Sequence, residues 1–207
     1  MKFLLAAASA LSLAAAAPAA SVQSLPPGTY QVTYVDKFDD LKALPLTTGL
    51  VNQVGVYHGF NYTGFGVSSD TISILGNTPT TTPNFIYGDP VTTSTLQLLP
   101  ANGKVVHFEL CYLYYACTVI GSTGLAQKCT IQVTGQKAAE YGGGTVIQEL
   151  VYDPALVGSS YAYVSLQSTT DWQKLVSVTL NVLNPLTPQP VTIAQFDNIG
   201  YLTLYKK

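Results

Sequence analysis

KVVHFELCYLYYAC, residues 104–117, alternates with a period of two along its whole length. Read as a strand, it sets Val106, Phe108, Leu110, Tyr112 and Tyr114 on one face and His107, Glu109, Cys111 and Leu113 on the other. Successive side chains of a strand point to opposite faces, so this alternation describes a half-buried β-strand. The same period returns on both sides. Cys129–Thr134 sends Cys129, Ile131 and Val133 one way and polar residues the other, and Thr145–Tyr152 follows suit. In Lys174–Val182, Val176, Val178, Leu180 and Val182 oppose Ser177, Thr179 and Asn181.

Further strands are expected at Tyr30–Asp36, Gly59–Val67, Thr71–Leu75, Ser94–Leu99, Ser160–Leu166 and Val191–Tyr205, the last broken near Gly200. Turn-forming residues separate them: Asn102-Gly103, Gly142-Gly143-Gly144, Asn184-Pro185 and the Pro/Thr-rich 77–83. No stretch carries a capped 3.6-residue period, and 39–50 holds at most one helical turn. About ten short strands in one domain predict an all-β, two-sheet antiparallel sandwich, a jelly roll in its most specific form. A closed lipocalin-like barrel is the other arrangement that fits. No fixed repeat points to a propeller or solenoid.

The N-terminus reads as a secretory leader. Lys2 supplies the positive charge, 3–13 a short apolar run, and Ala17-Pro18-Ala19 a small-x-small cleavage site. The expected organisation is a cleaved signal peptide over 1–19, a short extension over 20–29 and one sandwich domain over 30–207. No later run is long and apolar enough for a membrane helix, and no tail suits a lipid anchor. Only 10% of residues are charged, the net charge is −2, and arginine is absent. Such a chain lacks the footprint of a nucleic-acid binder and the fork of a phosphate clamp. The expected partners are neutral polysaccharides or glycoproteins, with no nucleic acid and no membrane.

Secretion makes disulfides available to the three cysteines. Cys117 and Cys129 flank a short Gly/Ser/Thr segment between strands, and closing it stabilises the fold by about 3 kcal/mol on the chain-entropy estimate. Cys111 is then the odd one, read as a small buried hydrophobe.

Acidic motifs lie at both ends of the domain. Phe38-Asp39-Asp40-Leu41 follows the first strand and Phe196-Asp197-Asn198-Ile199 opens the last. If those strands are neighbours, Asp39, Asp40, Asp197 and Asn198 converge, and such oxygens suit Ca²⁺. The bland alternative is a pair of turns whose Asp and Asn side chains bond local backbone.

These two motifs, with Tyr57-His-Gly-Phe60 and Cys117…Cys129-Thr-Ile-Gln-Val-Thr-Gly135, occur in one order. In this the chain resembles small secreted fungal proteins of unknown function with a carbohydrate-binding-module-like jelly roll, galactose-binding-like and more distantly MAM-like. The resemblance spans nearly the whole mature chain, through short motifs. It implies a structural calcium near the chain termini and the Cys117–Cys129 bridge. The sequence departs from the pattern in having Phe60 for an aliphatic residue and a Tyr for a Trp shortly beyond. The group has no established catalytic residues, so none is carried over.

Tyr57, His58, Phe60, Tyr62 and Phe65 are interleaved with glycines. Aromatic faces stack on the apolar faces of sugars and Tyr keeps a hydroxyl for orientation, so Tyr57, His58 and Tyr62 are the candidate ligand residues. Core filling is the competing role, favoured for Phe60. Asn61-Tyr-Thr63 is an N-glycosylation sequon, and a glycan at Asn61 would crowd that site. With only His58 and His107, a multi-histidine metal site is excluded, and no Gly-x-Ser-x-Gly elbow is present. Glu109, Glu140, Glu149, Asp153 and Asp171 are the acids available to a glycosidase pair, and His107 with Glu109 is the one local acid–base pairing. Trp172 reads as packing. The sequence favours a secreted, non-catalytic module that binds carbohydrate or the cell-wall surface, with Ca²⁺ as its one expected cofactor. The alternatives are a secreted effector or protein-interaction protein, and a carboxylate-based glycan-active enzyme.

Overall fold

The computed structural model describes residues 25–43, 52–69, 77–88, 94–98, 105–119, 125–155, 159–167, 170–183 and 192–207. The leader, the strand expected at 71–75 and the turns at 102–103 and 184–185 lie outside these residues. Eleven strands are described: β1 (Thr29–Asp36), β2 (Asn52–Tyr57), β3 (Phe60–Ser69), β4 (Asn84–Gly88), β5 (Ser94–Leu98), β6 (Val105–Val119), β7 (Cys129–Lys137), β8 (Thr145–Tyr152), β9 (Ala162–Ser165), β10 (Leu175–Leu183) and β11 (Thr192–Lys206). Two short 3₁₀ turns, Ala139–Tyr141 and Thr170–Trp172, accompany them. The chain is an all-β sandwich. Among the described residues no helix is long and apolar enough to cross a membrane.

All pairings between strands are antiparallel, in the order β8-β7-β10-β5-β3-β4-β11-β6-β9. Two long strands organise the network. β3 pairs with β2 along one edge, and divides its other edge between β5 and β4. β11 pairs with β6 along one edge, and divides the other between β4 and β1. β4 joins the two halves on one side, and β10, paired with β5 and through Leu175↔Phe108 with β6, links them on the other. Across the interior, Phe60 of β3 packs edge-on against Phe108 of β6 and Tyr201 of β11, and Phe65 against Phe196. Tyr115 of β6 likewise meets Tyr152 of β8.

β2 and β4 were not foreseen. Asn52–Tyr57 carries a glycine and little alternation, while Asn84–Gly88 is five residues long and buried throughout. A short strand buried on both faces has no period to read. The face assignment of β6 also needs correction. Phe108 and Leu110 face the core as expected, but Tyr112 and Tyr114 do not continue them. The ladder slips between Leu110 and Tyr112: Leu110 pairs with Tyr201 and Tyr112 with the adjacent Gly200, so that Cys111 is the extra residue of β6. A bulge adds one residue and turns the following side chains over. Beyond it Leu113, Tyr115 and Cys117 are buried, while Tyr112 and Tyr114 turn outward.

The Cys117–Cys129 bridge is present, with Cα atoms 6.2 Å apart, and Cys111 is a buried free cysteine. Trp172 is buried in the core.

Candidate functional site

β1 lies against β11 for its full length, from Thr29↔Lys206 to Asp36↔Ile199, so the first and last strands do meet. The alternation of β1 sends Tyr30, Tyr34 and Asp36 to one side, the side that carries Tyr201 and Tyr205 on β11. Tyr30 stacks on Tyr205, and Tyr34 on Tyr201, with ring centroids 5.2 and 5.4 Å apart. At the end of this row Asp36 is completely buried.

Three donors converge on that carboxylate. Tyr201 donates its hydroxyl to Oδ2 at 2.9 Å, Tyr62 donates to the same oxygen, and His58 Nδ1 lies 2.7 Å from Oδ1. Burial pushes the Asp36 carboxyl above its ordinary range, and these hydrogen bonds pull it back. The Tyr62 and Tyr201 hydroxyls are held far above theirs, first by burial and then by the adjacent carboxylate.

His58 reaches this carboxylate because of a tight turn. Tyr57 closes β2, Phe60 opens β3, and His58-Gly59 connects them with φ of 44° and 86°. Positive φ at both central residues is the requirement of a type I′ hairpin, whose twist matches that of the flanking strands. The imidazole lies between Tyr57, with centroids 4.1 Å apart, and Tyr34, at 5.9 Å. Its side chain remains 43% exposed. The outcome is an imidazole oriented by a dry carboxylate, framed by tyrosines and open to solvent.

The local backbone is unusual. Phe38, His58 and Asn198 are three of four non-glycine residues with positive φ among the described residues, and all lie beside Asp36 or its partners. Such conformations cost of order 1–3 kcal/mol each and collect where a side chain must be held in a set place. Phe38 is held by burial, its ring against Tyr57 and Tyr62.

The residues singled out from the sequence separate here. His58 is the exposed member of the aromatic group. Tyr57 is nearly buried and donates its hydroxyl to Asp40 Oδ1 at 2.6 Å. Tyr62 is a core residue, in edge contact with Phe38 and Phe65. Asn61 sits half-buried on the outward side of β3, opposite the exposed Val56. Asp36, Tyr34 and Tyr201 were read only as strand residues. Nothing in a chain that alternates apolar and polar marks one buried aspartate at a strand's end.

The acidic motifs also divide. Asp197 is buried; it accepts from the Thr81 amide and hydroxyl and from the Asn198 amide. Burial raises its carboxyl, and the nearby Asp39 raises it further. Asn198 Oδ1 accepts from Thr81 Oγ1, and Asp39 Oδ1 from the Asn84 amide. Asp40 turns instead to Tyr57. Among the described residues no group of three or more His, Cys, Asp or Glu side chains is placed to hold a metal ion.

The acids considered for catalysis are scattered. Asp153 pairs with Lys128 and Asp171 with Lys137 on the surface, and Glu140 and Glu149 are exposed. Glu109 is half-buried, its carboxyl raised by burial and partly restored by Lys174. His107 is buried edge-on to Tyr141, its imidazole pKa lowered first by burial and then by Lys174.

No family model matches the chain, and no curated protein matches it. Among solved structures it is similar to a DUF4465 family protein from Bacteroides caccae, at 16% identity over 87% of this chain and 88% of that one, with a TM-score of 0.44.

Proposed function

We propose that this protein is a secreted, non-catalytic module that binds neutral carbohydrate, as a polysaccharide or on a glycoprotein at a cell-wall surface. The observation that carries the reading is His58, exposed between Tyr34 and Tyr57 and oriented by the buried Asp36. Neutral sugars offer hydroxyls for a fixed polar group and apolar ring faces for aromatics. Asp36 takes up Nδ1, which leaves Nε2 as the ring nitrogen available to a ligand hydroxyl. The Tyr30–Tyr205 stack extends the aromatic surface along β1, and Tyr30 is exposed. Tyr57 and Tyr62 support the site from beneath. The lack of arginine and the low charge suit a neutral ligand.

The leader and the disulfide are consistent with an extracellular setting. A glycan on Asn61 and a structural Ca²⁺ belong to the same proposal. Asp39, Asp197 and the Asn198 amide oxygen, gathered around Thr81 and Asn84, are the oxygen set that would hold a hard cation.

The test is retention on insoluble chitin, β-glucan, cellulose and mannan, alongside a glycan array. Retention on at least one, weakened about tenfold or more in His58→Ala and Tyr30→Ala, is the expected result; a tenfold loss is about 1.4 kcal/mol. No retention on any of them, with a blank array, overturns the reading.

A further inference from the structure

The bulge in β6 has a product on the opposite surface of the sheet. Tyr112 and Tyr114 turn outward beside Tyr163 of the edge strand β9, which pairs directly with Tyr114. The three rings touch: centroids lie 5.0 Å apart for Tyr114–Tyr163, 5.9 Å for Tyr112–Tyr163 and 6.4 Å for Tyr112–Tyr114. Tyr163 is 55% exposed and the other two are half-exposed.

This cluster is built rather than incidental. A Cβ on Gly200 would lie 2.2 Å from Cε1 of Tyr112, so the ring rests on bare glycine backbone. That floor and the mutual ring contacts fix the tyrosines before any ligand arrives, which lowers the ordering cost of binding. The neighbours that act electrostatically on Tyr112 are Tyr114, Tyr163 and Cys111, none of them ordinarily charged at neutral pH. Asp197, opposite Tyr114, is buried beneath Thr81. Among the described residues these neighbours offer a ligand no cation, the group that a phosphate would need.

We infer that Tyr112, Tyr114 and Tyr163 form a second ligand site, one that takes a single soluble chain of neutral hexose units. The ring planes decide between a chain and a flat solid. They cross at 42°, 52° and 88°, so the rings present a creased surface that a coplanar polymer face cannot cover. A lone chain, free to twist, can set successive sugar faces on differently tilted rings. The inference stands on a surface separate from His58 and does not require that site.

Titration calorimetry with soluble hexaoses of β-1,3-glucan, β-1,4-glucan, β-1,4-mannan and chitin tests it. Measured in the His58→Ala background, so that the site proposed above does not contribute, at least one should bind, Tyr163→Ala should weaken it at least tenfold, and Tyr163→Phe should retain the stacking part. Thermal melting of Tyr163→Ala confirms that the edge strand is intact, and Tyr114→Ala provides a second reading if it is not. No binding of any hexaose at millimolar concentration overturns the inference. So does binding that Tyr163→Ala and Tyr114→Ala leave unchanged. Wild-type binding that His58→Ala abolishes removes this site and keeps the function proposed above; binding that survives His58→Ala and is lost in the tyrosine variants supports this site and leaves the one at His58 to its own retention test.

Discussion

Asp36 Oδ1 and His58 Nδ1 lie 2.7 Å apart, and only the histidine is in contact with water. The chain has no arginine, and among the described residues no lysine neutralises the aspartate; its partners there are two phenols and one imidazole. Asp36→Asn should destabilise the fold by about 1–3 kcal/mol, because the amide replaces one of the two acceptor oxygens by a donor and leaves a buried partner unpaired. Tyr201→Phe should cost about 1 kcal/mol alone and less in the Asp36→Asn background, because the two groups share one interaction. Urea unfolding of the two single variants and the double variant checks both.

Stability should depend on pH in two opposed ways. Burial raises Asp36 and Asp197 above the ordinary 3.8, and Glu109 above 4.5. A carboxyl raised in the folded state holds its proton better there than in the unfolded chain, so stability falls as pH climbs from the ordinary value through the folded one. His107, lowered below 6.5, behaves oppositely: stability is lost as pH falls from 6.5 through its folded value. Relative to wild type, Glu109→Gln should gain in melting temperature at pH 8 compared with pH 4. His107→Gln should gain at pH 4 compared with pH 8.

Gly200→Ala should displace the Tyr112 ring and destabilise the protein by about 1–3 kcal/mol, as overpacking does. The penalty should shrink in a Tyr112→Ala background, where the methyl group meets nothing rigid. A double-mutant cycle by denaturant unfolding measures the coupling.

Reducing the Cys117–Cys129 bridge, or replacing both cysteines by alanine, should cost about 3 kcal/mol on the chain-entropy estimate. Cys111, being buried, should resist alkylation until the chain unfolds. Mass spectrometry after labelling in native and denaturing buffer separates the two classes of sulfur.

If Ca²⁺ binds at Asp39, Asp197 and Asn198, the melting temperature should be higher in millimolar Ca²⁺ than in EDTA, since a ligand of the native state stabilises it by mass action. The difference should vanish in Asp197→Asn. Identical wild-type curves would dismiss the ion.

The all-β sandwich was legible because most strands have one wet face and hence a period. Thr145–Tyr152 was bounded to the residue, and the bridge followed from cysteines that close a short loop between strands. Legibility ended where the period did. β4 is buried on both faces, and the bulge at Cys111 inverts the sense of everything beyond it. Tyr112 and Tyr114 were set on the face of Phe108 and Leu110 for that reason alone. At the candidate site, His58 was visible as an unusual residue within an aromatic run. Asp36 was not, because its significance comes from tyrosines brought to it by β3 and β11.

The pairing of β1 with β11 bears on how the chain is made. Tyr34 and Tyr205, whose hydroxyls meet across that seam, are 171 residues apart. At a synthesis rate of about 5–20 residues per second, β1 leaves the ribosome on the order of ten seconds or more before its partner exists. During that interval Tyr30 and Tyr34 lack the Tyr205 and Tyr201 rings that they stack on, and Asp36 lacks the Tyr201 hydroxyl. Completion of the Asp36 site is thus a late event: Tyr201, the third partner of that carboxylate, arrives with the last strand.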